Sequence, residues 1–378
     1  MFKEKKTIVR LIVFLLAAVI AVGSITMGVT GLLHRDSGYY DVDYTPEGKA
    51  TLYGSGVHLK YYADGGSSDI RLKINEVQKA YTDALLYIYR LLDETNTYES
   101  FVNIASLNAA PGEWLPIDEN LNAALKGALE YTTRNQGYSV FAGAVRQEWQ
   151  TLLYLDEPQE KDPANDSEEA DILRRLAEFL ADPASFHLEL ADGKARLTVS
   201  EAYQNWAREN EIDAPVLDLN LMKEAYLLQY VADTMTRQGY TAGYLYTDSG
   251  LSAALNLNGE MSYRLYRVKD GAPEEAGETK LPSPSAFCQF CAVPLNSEKY
   301  GYYTVTRDGS TLYRHPHFDC RTGEVHQLLM TAALGGRLDQ LPDLAYTMTA
   351  LTACATRREA DALLSALPSN AFSDYSFQ

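Results

Sequence analysis

The chain has 378 residues, a net charge of −18 and a hydrophobic fraction of 46%. That acidity argues against nucleic acid or an anionic membrane surface as a partner, and 27 Tyr with three Trp argue against a disordered chain. Four Cys are too few for a disulfide scaffold, so apolar burial must hold the core.

Residues 1–10 carry Lys3, Lys5, Lys6 and Arg10 against Glu4 alone, and residues 11–33 carry no charge. Roughly 20 helical residues cross a bilayer core, and flanking cations stay on the cytoplasmic side. The pattern predicts a single-pass anchor over 11–33, with residues 1–10 inside and the rest extracytoplasmic at the cell membrane. A signal peptide cleaved near Ala21-Val22-Gly23 is the rival, but the apolar character continues past it to Leu33. No Cys follows the apolar run, so a lipoprotein cleavage box is absent. Residues 34–48 read as a polar tether, 49–368 as one large domain, and 369–378 as a tail.

Residues 51–62 have strand composition. After a Gly-Ser break, Asp69 is positioned to cap a helix in which Ile74, Val77, Tyr81, Leu85, Ile88 and Leu92 recur at helical spacing. A second helix is predicted over residues 119–135, an acidic Pro-containing loop over 156–169, and a third helix over 167–181. Residues 221–238 read as a helix closed by Gly239. Residues 241–256 and 261–268 read as strands, and 270–285, rich in Pro, Gly and Glu, as a loop. Residues 302–306 and 311–314 flank Asp308-Gly309, a hairpin signal. Residues 342–367 read as helical. Helices and strands interleave without a βαβ rhythm, which predicts an α+β fold.

Cys288 and Cys291 form a lone CxxC; zinc needs a second pair, so a disulfide or two unpaired thiols is the reading. His315, His317, Asp319 and Cys320 read as a turn, with metal ligation the alternative. Asp343 and Thr347 lie four apart at a helix start, presenting two hard oxygen donors suited to Mg²⁺ on one face. By itself Asp343 is more simply a first-turn residue favoured by the helix dipole.

The order of several segments resembles the FAD:protein FMN transferase (ApbE-type) family over about residues 52–367. Leu91-Leu92-Asp93, Tyr98 and a Leu107-Asn108 ending resemble its early helix. Residues 137–149 resemble its Gly-Ala-Phe-Asp segment, and Leu217-Asp218-Leu219 with Lys223 its Asp-Leu-Gly-Gly-Ile-Ala-Lys-Gly segment. Ser297 with Tyr300 resembles Ser-Gly-Asp-Tyr, and residues 319–323 resemble Asp-Pro-x-Thr-Gly. Asp343-x-x-x-Thr347 resembles the metal-binding Ala-Asp-Ala-Leu-x-Thr-Ala helix. The chain departs from the pattern at Ser139-Val140, Glu224, Leu228, Pro316 and Cys320, and residues 246–250 stand where the family reads Asn-x-Gly-Gly-Asp. A second register, aligned on Thr349-Ala350-Leu351, puts Ala345 where the metal Asp belongs.

The resemblance implies transfer of FMN from FAD, the substrate, to a Thr or Ser of an exported acceptor protein, with Mg²⁺ as cofactor. It assigns Asp218, Lys223, Ser297, Tyr300 and Thr322 to the flavin nucleotide and Asp343 with Thr347 to the metal. No catalytic residue is assigned. Two other readings stand beside it: a flavin- or ligand-binding relative that does not catalyse, and a structural or interaction ectodomain that keeps only the fold.

Overall fold

A computed structural model describes residues 36–44, 56–255, 259–295, 301–368 and 371–378. The expected cytoplasmic segment and anchor lie outside these residues, as do Ser297 and Tyr300. Among the described residues no helix is long and apolar enough to cross a membrane.

The fold is mixed α+β and is built on one seven-stranded sheet. Its strands are β1 (Gly38–Val42), β2 (Val57–Ala63), β6 (Gly243–Thr247), β7 (Leu251–Ala254), β10 (Ser285–Cys291), β13 (Leu329–Arg337) and β14 (Phe372–Phe377), in that spatial order. Every neighbouring pair is antiparallel. Both outer strands come from stretches the sequence reads as tether and tail. Each is half-exposed and interleaves aromatic residues with Gly, Ser or Asp, so neither carries a long apolar run.

Three helices cover one face: α1 (Ser67–Leu92), α7 (Leu221–Arg237) and α8 (Leu341–Thr352). The apolar positions of α1 follow helical spacing and bury Ile70, Ile74, Val77, Tyr81 and Leu85 against the sheet. Its N-cap is Gly66, with Asp69 one turn in, so Asp69 serves the dipole rather than the cap. Burying one such Leu or Ile side chain contributes roughly 1.5–3 kcal/mol. The predicted continuous helix over 342–367 is two helices, α8 and α9 (Arg357–Ser365). Thr356 caps the second by accepting from the Glu359 amide.

The flanking elements put Ile104, Leu121, Leu125 and Leu197 into the main core and build a second core beside it. They are α2 (Ile104–Ala109), α3 (Glu119–Arg134), α4 (Gly143–Leu153), α5 (Ser167–Ala181), α6 (Glu201–Glu209) and a small sheet of β3 (Leu115–Pro116), β4 (Phe186–Ala191) and β5 (Lys194–Val199). Trp149, Leu173, Phe179, Phe186, Tyr203 and Phe318 meet in that second core.

The predicted loop over 270–285 is instead a strand, β9 (Ala272–Pro282), paired with β8 (Glu260–Lys269). Asp270 and Gly271 both take positive φ, 51° and 75°, as a two-residue hairpin turn requires. β9 is almost wholly exposed, so it lacks the alternation that marks a strand. This hairpin packs on the outer face of β10 and β13 through Tyr263, Leu281, Phe287 and Ala333. The predicted strand over 241–256 is the hairpin β6–β7, turning at residues 248–250. The hairpin of β11 (Tyr303–Arg307) and β12 (Ser310–Arg314) forms as expected.

Candidate functional site

The site is built around the loop that precedes α7. Asn108 closes α2 with its side-chain amide on the backbone of Leu217: Nδ2 donates to the carbonyl (3.0 Å) and Oδ1 accepts from the amide (2.8 Å). From the other side the Asp218 amide donates to the Val140 carbonyl at 2.9 Å. Gly143 lets the two segments touch, because a Cβ there would sit 1.9 Å from the Pro215 carbonyl oxygen. The loop is therefore clamped between α2 and α4, and Asp218 points inward, 4% exposed.

Arg146 on α4 meets it. Its Nη1 lies 2.7 Å from both Asp218 oxygens and 3.3 Å from Glu94 Oε1. Glu94 Oε2 accepts from Lys223 Nζ at 2.5 Å, and Lys223 lies 4.9 Å from the centre of the Tyr89 ring. Asp93 fixes the turn that presents Glu94: its Oδ1 accepts from the amides of Thr95 and Asn96, and its Oδ2 accepts from Tyr98. The chain Asp218–Arg146–Glu94–Lys223 thus alternates in charge. Burial pushes the Glu224 carboxyl above its ordinary range, partly offset by hydrogen bonds from Ser249 and Thr247.

These residues line a cavity of about 490 Å³ between the end of α1, α4 and the start of α7. A second cavity of about 460 Å³ adjoins it, sharing Arg146, Gln150, Tyr154, Asn220 and Glu224. It continues past Gly250 and Phe290 to His317. Volumes of this size suit a small organic ligand or cofactor. His315 and His317 face Phe290 edge-on, and burial drives both imidazoles toward the neutral form, His317 to about 4.

Of the residues expected at a nucleotide, Asp218 and Lys223 come together here. Thr322 lines a different cavity beside Arg321 and His326. The Asp319 turn that carries Thr322 ties the fold together. Asp319 accepts from Arg321 and pairs with His326, Arg321 donates to the Ala353 carbonyl at the end of α8, and Trp149 Nε1 donates to the Gly323 carbonyl. Burial alone would raise the Asp319 pKa, but the hydrogen bonds from His326 and Arg321 outweigh it and hold the carboxyl below its ordinary range.

Asp343 and Thr347 do not line the cavity. Asp343 is exposed and accepts from the Tyr131 hydroxyl at 2.9 Å, and Thr347 donates its hydroxyl to the Asp343 carbonyl at 2.8 Å. Ala345 and Thr349 occupy the buried face of α8 instead, 0% and 3% exposed. The register that places Ala345 where the family has its metal Asp is the one that points into the protein. Among the described residues no three His, Cys, Asp or Glu side chains converge to hold a metal. The cavity carboxylates already receive Arg146, Lys223 and Ser249. The four Cys are unpaired and buried.

Arg146, Glu94 and Asn108 escape sequence reasoning as site residues. Leu107-Asn108 was visible as a segment ending, but its role appears only when Leu217 is brought beside it.

The antiparallel sheet backed by helices has counterparts among solved structures of ApbE flavin transferases. The chain is similar to the ApbE protein of Thermotoga maritima, with a TM-score of 0.58 and 12% identity over 90% of this chain and 94% of that one. It is similar to the flavin transferase ApbE of Vibrio cholerae, with a TM-score of 0.53 and 11% identity over 91% and 97%. The apo flavinyl transferase ApbE of Pseudomonas stutzeri gives 0.51 and 13% over 91% and 96%. No protein-family model and no curated protein sequence matches the chain. At these identities the likeness establishes the ApbE fold.

Proposed function

We propose that the chain is a flavin-transferase-like protein. It takes FAD into the joined cavities and transfers FMN to a Thr or Ser hydroxyl of an exported acceptor protein. The observation that carries this reading is the meeting of Asp218 and Lys223 in one cavity of the ApbE fold. In the transfer, the acceptor oxygen forms a bond to the phosphorus of the FMN half as the bond to AMP breaks. AMP leaves and the hydroxyl proton passes to solvent. Such chemistry depends on alignment and charge neutralisation more than on covalent help. Lys223, held by one carboxylate, is the cation able to exchange Glu94 for a phosphate oxygen. Arg146, held by two, stays as scaffold.

The uncharged stretch over residues 11–33 supports a membrane tether that leaves this domain extracytoplasmic, where exported acceptors are found.

A second reading, FAD binding without transfer, draws on the outward direction of Asp343, which does not line the joined cavities. One experiment separates them. The protein is incubated with FAD, an exported protein bearing an accessible Thr, and either Mg²⁺ or EDTA. Fluorescent flavin on the acceptor after denaturing electrophoresis establishes transfer, and the EDTA arm reads its metal requirement. FAD binding without labelled acceptor establishes the second reading. Neither result leaves only the structural role.

A further inference from the structure

The sheet has an outer face that its neighbours cover only in part. The β8–β9 hairpin covers β10 and β13, whereas the outward side chains of β1, β2 and β6 are exposed or half-exposed. Pairing in register sets Tyr39 opposite Tyr62, and His58 opposite Tyr246. The rings of Tyr39 and Tyr62 lie 5.4 Å apart, Tyr39 and Tyr244 5.9 Å, Tyr244 and Tyr246 6.0 Å, and His58 and Tyr246 4.9 Å. Tyr39 and Tyr62 are 52% and 39% exposed, so this continuous aromatic surface faces outward. Its charges are compensated locally, Lys60 by Asp41 at 3.2 Å and His58 by Asp248 at 3.1 Å.

We propose that this tyrosine face rests on the lipid–water interface of the membrane that holds the chain. The proposal rests on the membrane-tether reading of residues 11–33. Tyrosine suits that interface because its ring takes apolar surroundings while its hydroxyl stays wet. The chain itself fixes which side of the domain approaches the bilayer. Only residues 34–37 separate the last residue of the uncharged run, Leu33, from the first residue of β1, Gly38. Fully extended, that interval spans at most about 18 Å. A domain of this size has a radius of gyration of roughly 20 Å, so β1 cannot turn to the far side. A protein of net charge −18 gains nothing from anionic lipid, which points to zwitterionic headgroups.

The test uses the full chain reconstituted in phosphatidylcholine vesicles, carrying Tyr39→Trp, Tyr62→Trp or, as a control on the opposite sheet edge, Tyr375→Trp. Emission is compared with the parent protein in vesicles brominated near the headgroup. The first two variants should shift to the blue and lose most of the added emission to bromine, and the control should do neither. Carbonate extraction is run on the same vesicles. Loss of the chain from the membrane removes the tether and the proposal with it. Retention with unquenched indoles at positions 39 and 62 overturns the proposal alone. So does protection of those indoles only on self-association, or only on adding soluble cell-wall glycan, which would assign the face to a second copy or to a sugar.

Discussion

Arg146 holds Asp218 through a single guanidinium nitrogen placed 2.7 Å from both carboxylate oxygens, with Glu94 3.3 Å away on the other side. The Asp218 side chain is 5% exposed, so the ion pair replaces water almost completely. Removing one partner of such a pair costs more than the pair contributes, because a buried charge is left alone. Arg146→Met is therefore expected to lower stability by about 3 kcal/mol. Adding Asp218→Asn should restore much of that loss, since Asn still accepts from the Asn220 amide and carries no charge. Urea unfolding of Arg146→Met, Asp218→Asn and the double variant checks this; additive losses would mean that the two residues do not act as a pair.

Lys223 is placed differently. Glu94 keeps its contact with Arg146 when Lys223 is removed, so the stability cost is expected to be smaller than that of Arg146→Met. FAD affinity should suffer instead. Loss of one cation–phosphate contact of about 1.4 kcal/mol is a tenfold weaker Kd. Titration of flavin fluorescence against Lys223→Met reads it, and unaltered affinity would move the nucleotide away from this cavity.

The contrast between these residues explains what could be read from sequence. Helix α1 announced itself through a long run of apolar residues at helical spacing, and the β11–β12 hairpin through Asp308-Gly309. The same dipeptide occurs at Asp192-Gly193 and Asp270-Gly271, each with both residues at positive φ. Around Asp270-Gly271 the strands face solvent, so no alternation supported the turn signal. Asp218 and Lys223 were legible because they stand close together in a segment with a family likeness. Arg146 and Glu94 were not: an Arg on an amphipathic helix, or a Glu in the turn after one, reads as a solvated residue. Only a pairing 72 residues apart turns Arg146 inward. The metal-helix register was open in the sequence because both alignments preserve the spacing to Asp319. Burial separates the two positions, Ala345 facing the core and Asp343 facing solvent.

Asp343 should accordingly matter little to ligand binding. Asp343→Ala removes the acceptor of the Tyr131 hydroxyl at an exposed edge, where water replaces it. The expected loss is about 0.5–1 kcal/mol of stability with FAD affinity unchanged. Urea unfolding checks the first part, and isothermal titration with FAD, with and without EDTA, checks the second. A loss of FAD binding in the variant that Mg²⁺ controls in the parent would return Asp343 to the site.

Glu169 on α5 gives a pH signature. Burial first, then the neighbouring Glu148, Asp166 and Glu168, push its pKa up to about 7, with Lys161 opposing. Its Oε1 is buried without a hydrogen-bond partner among the described residues. The folded pKa exceeds the ordinary 4.5, so the native state binds the extra proton between these values. The stability this group contributes is fully present below 4.5 and is lost as pH rises through about 7. His315 and His317 act in the opposite sense, since their lowered pKa values withdraw stability as pH falls below 6.5. The wild-type profile therefore mixes both, and a variant is needed to isolate Glu169. Glu169→Gln keeps the shape and removes the titration. Relative to wild type it should be more stable by about 1 kcal/mol at pH 8, the full shift being discounted for partial solvent exposure. At pH 4.5 the two proteins should coincide. Thermal unfolding at the two pH values decides it; an equal difference at both would mean that Glu169 acts through packing and not through its charge.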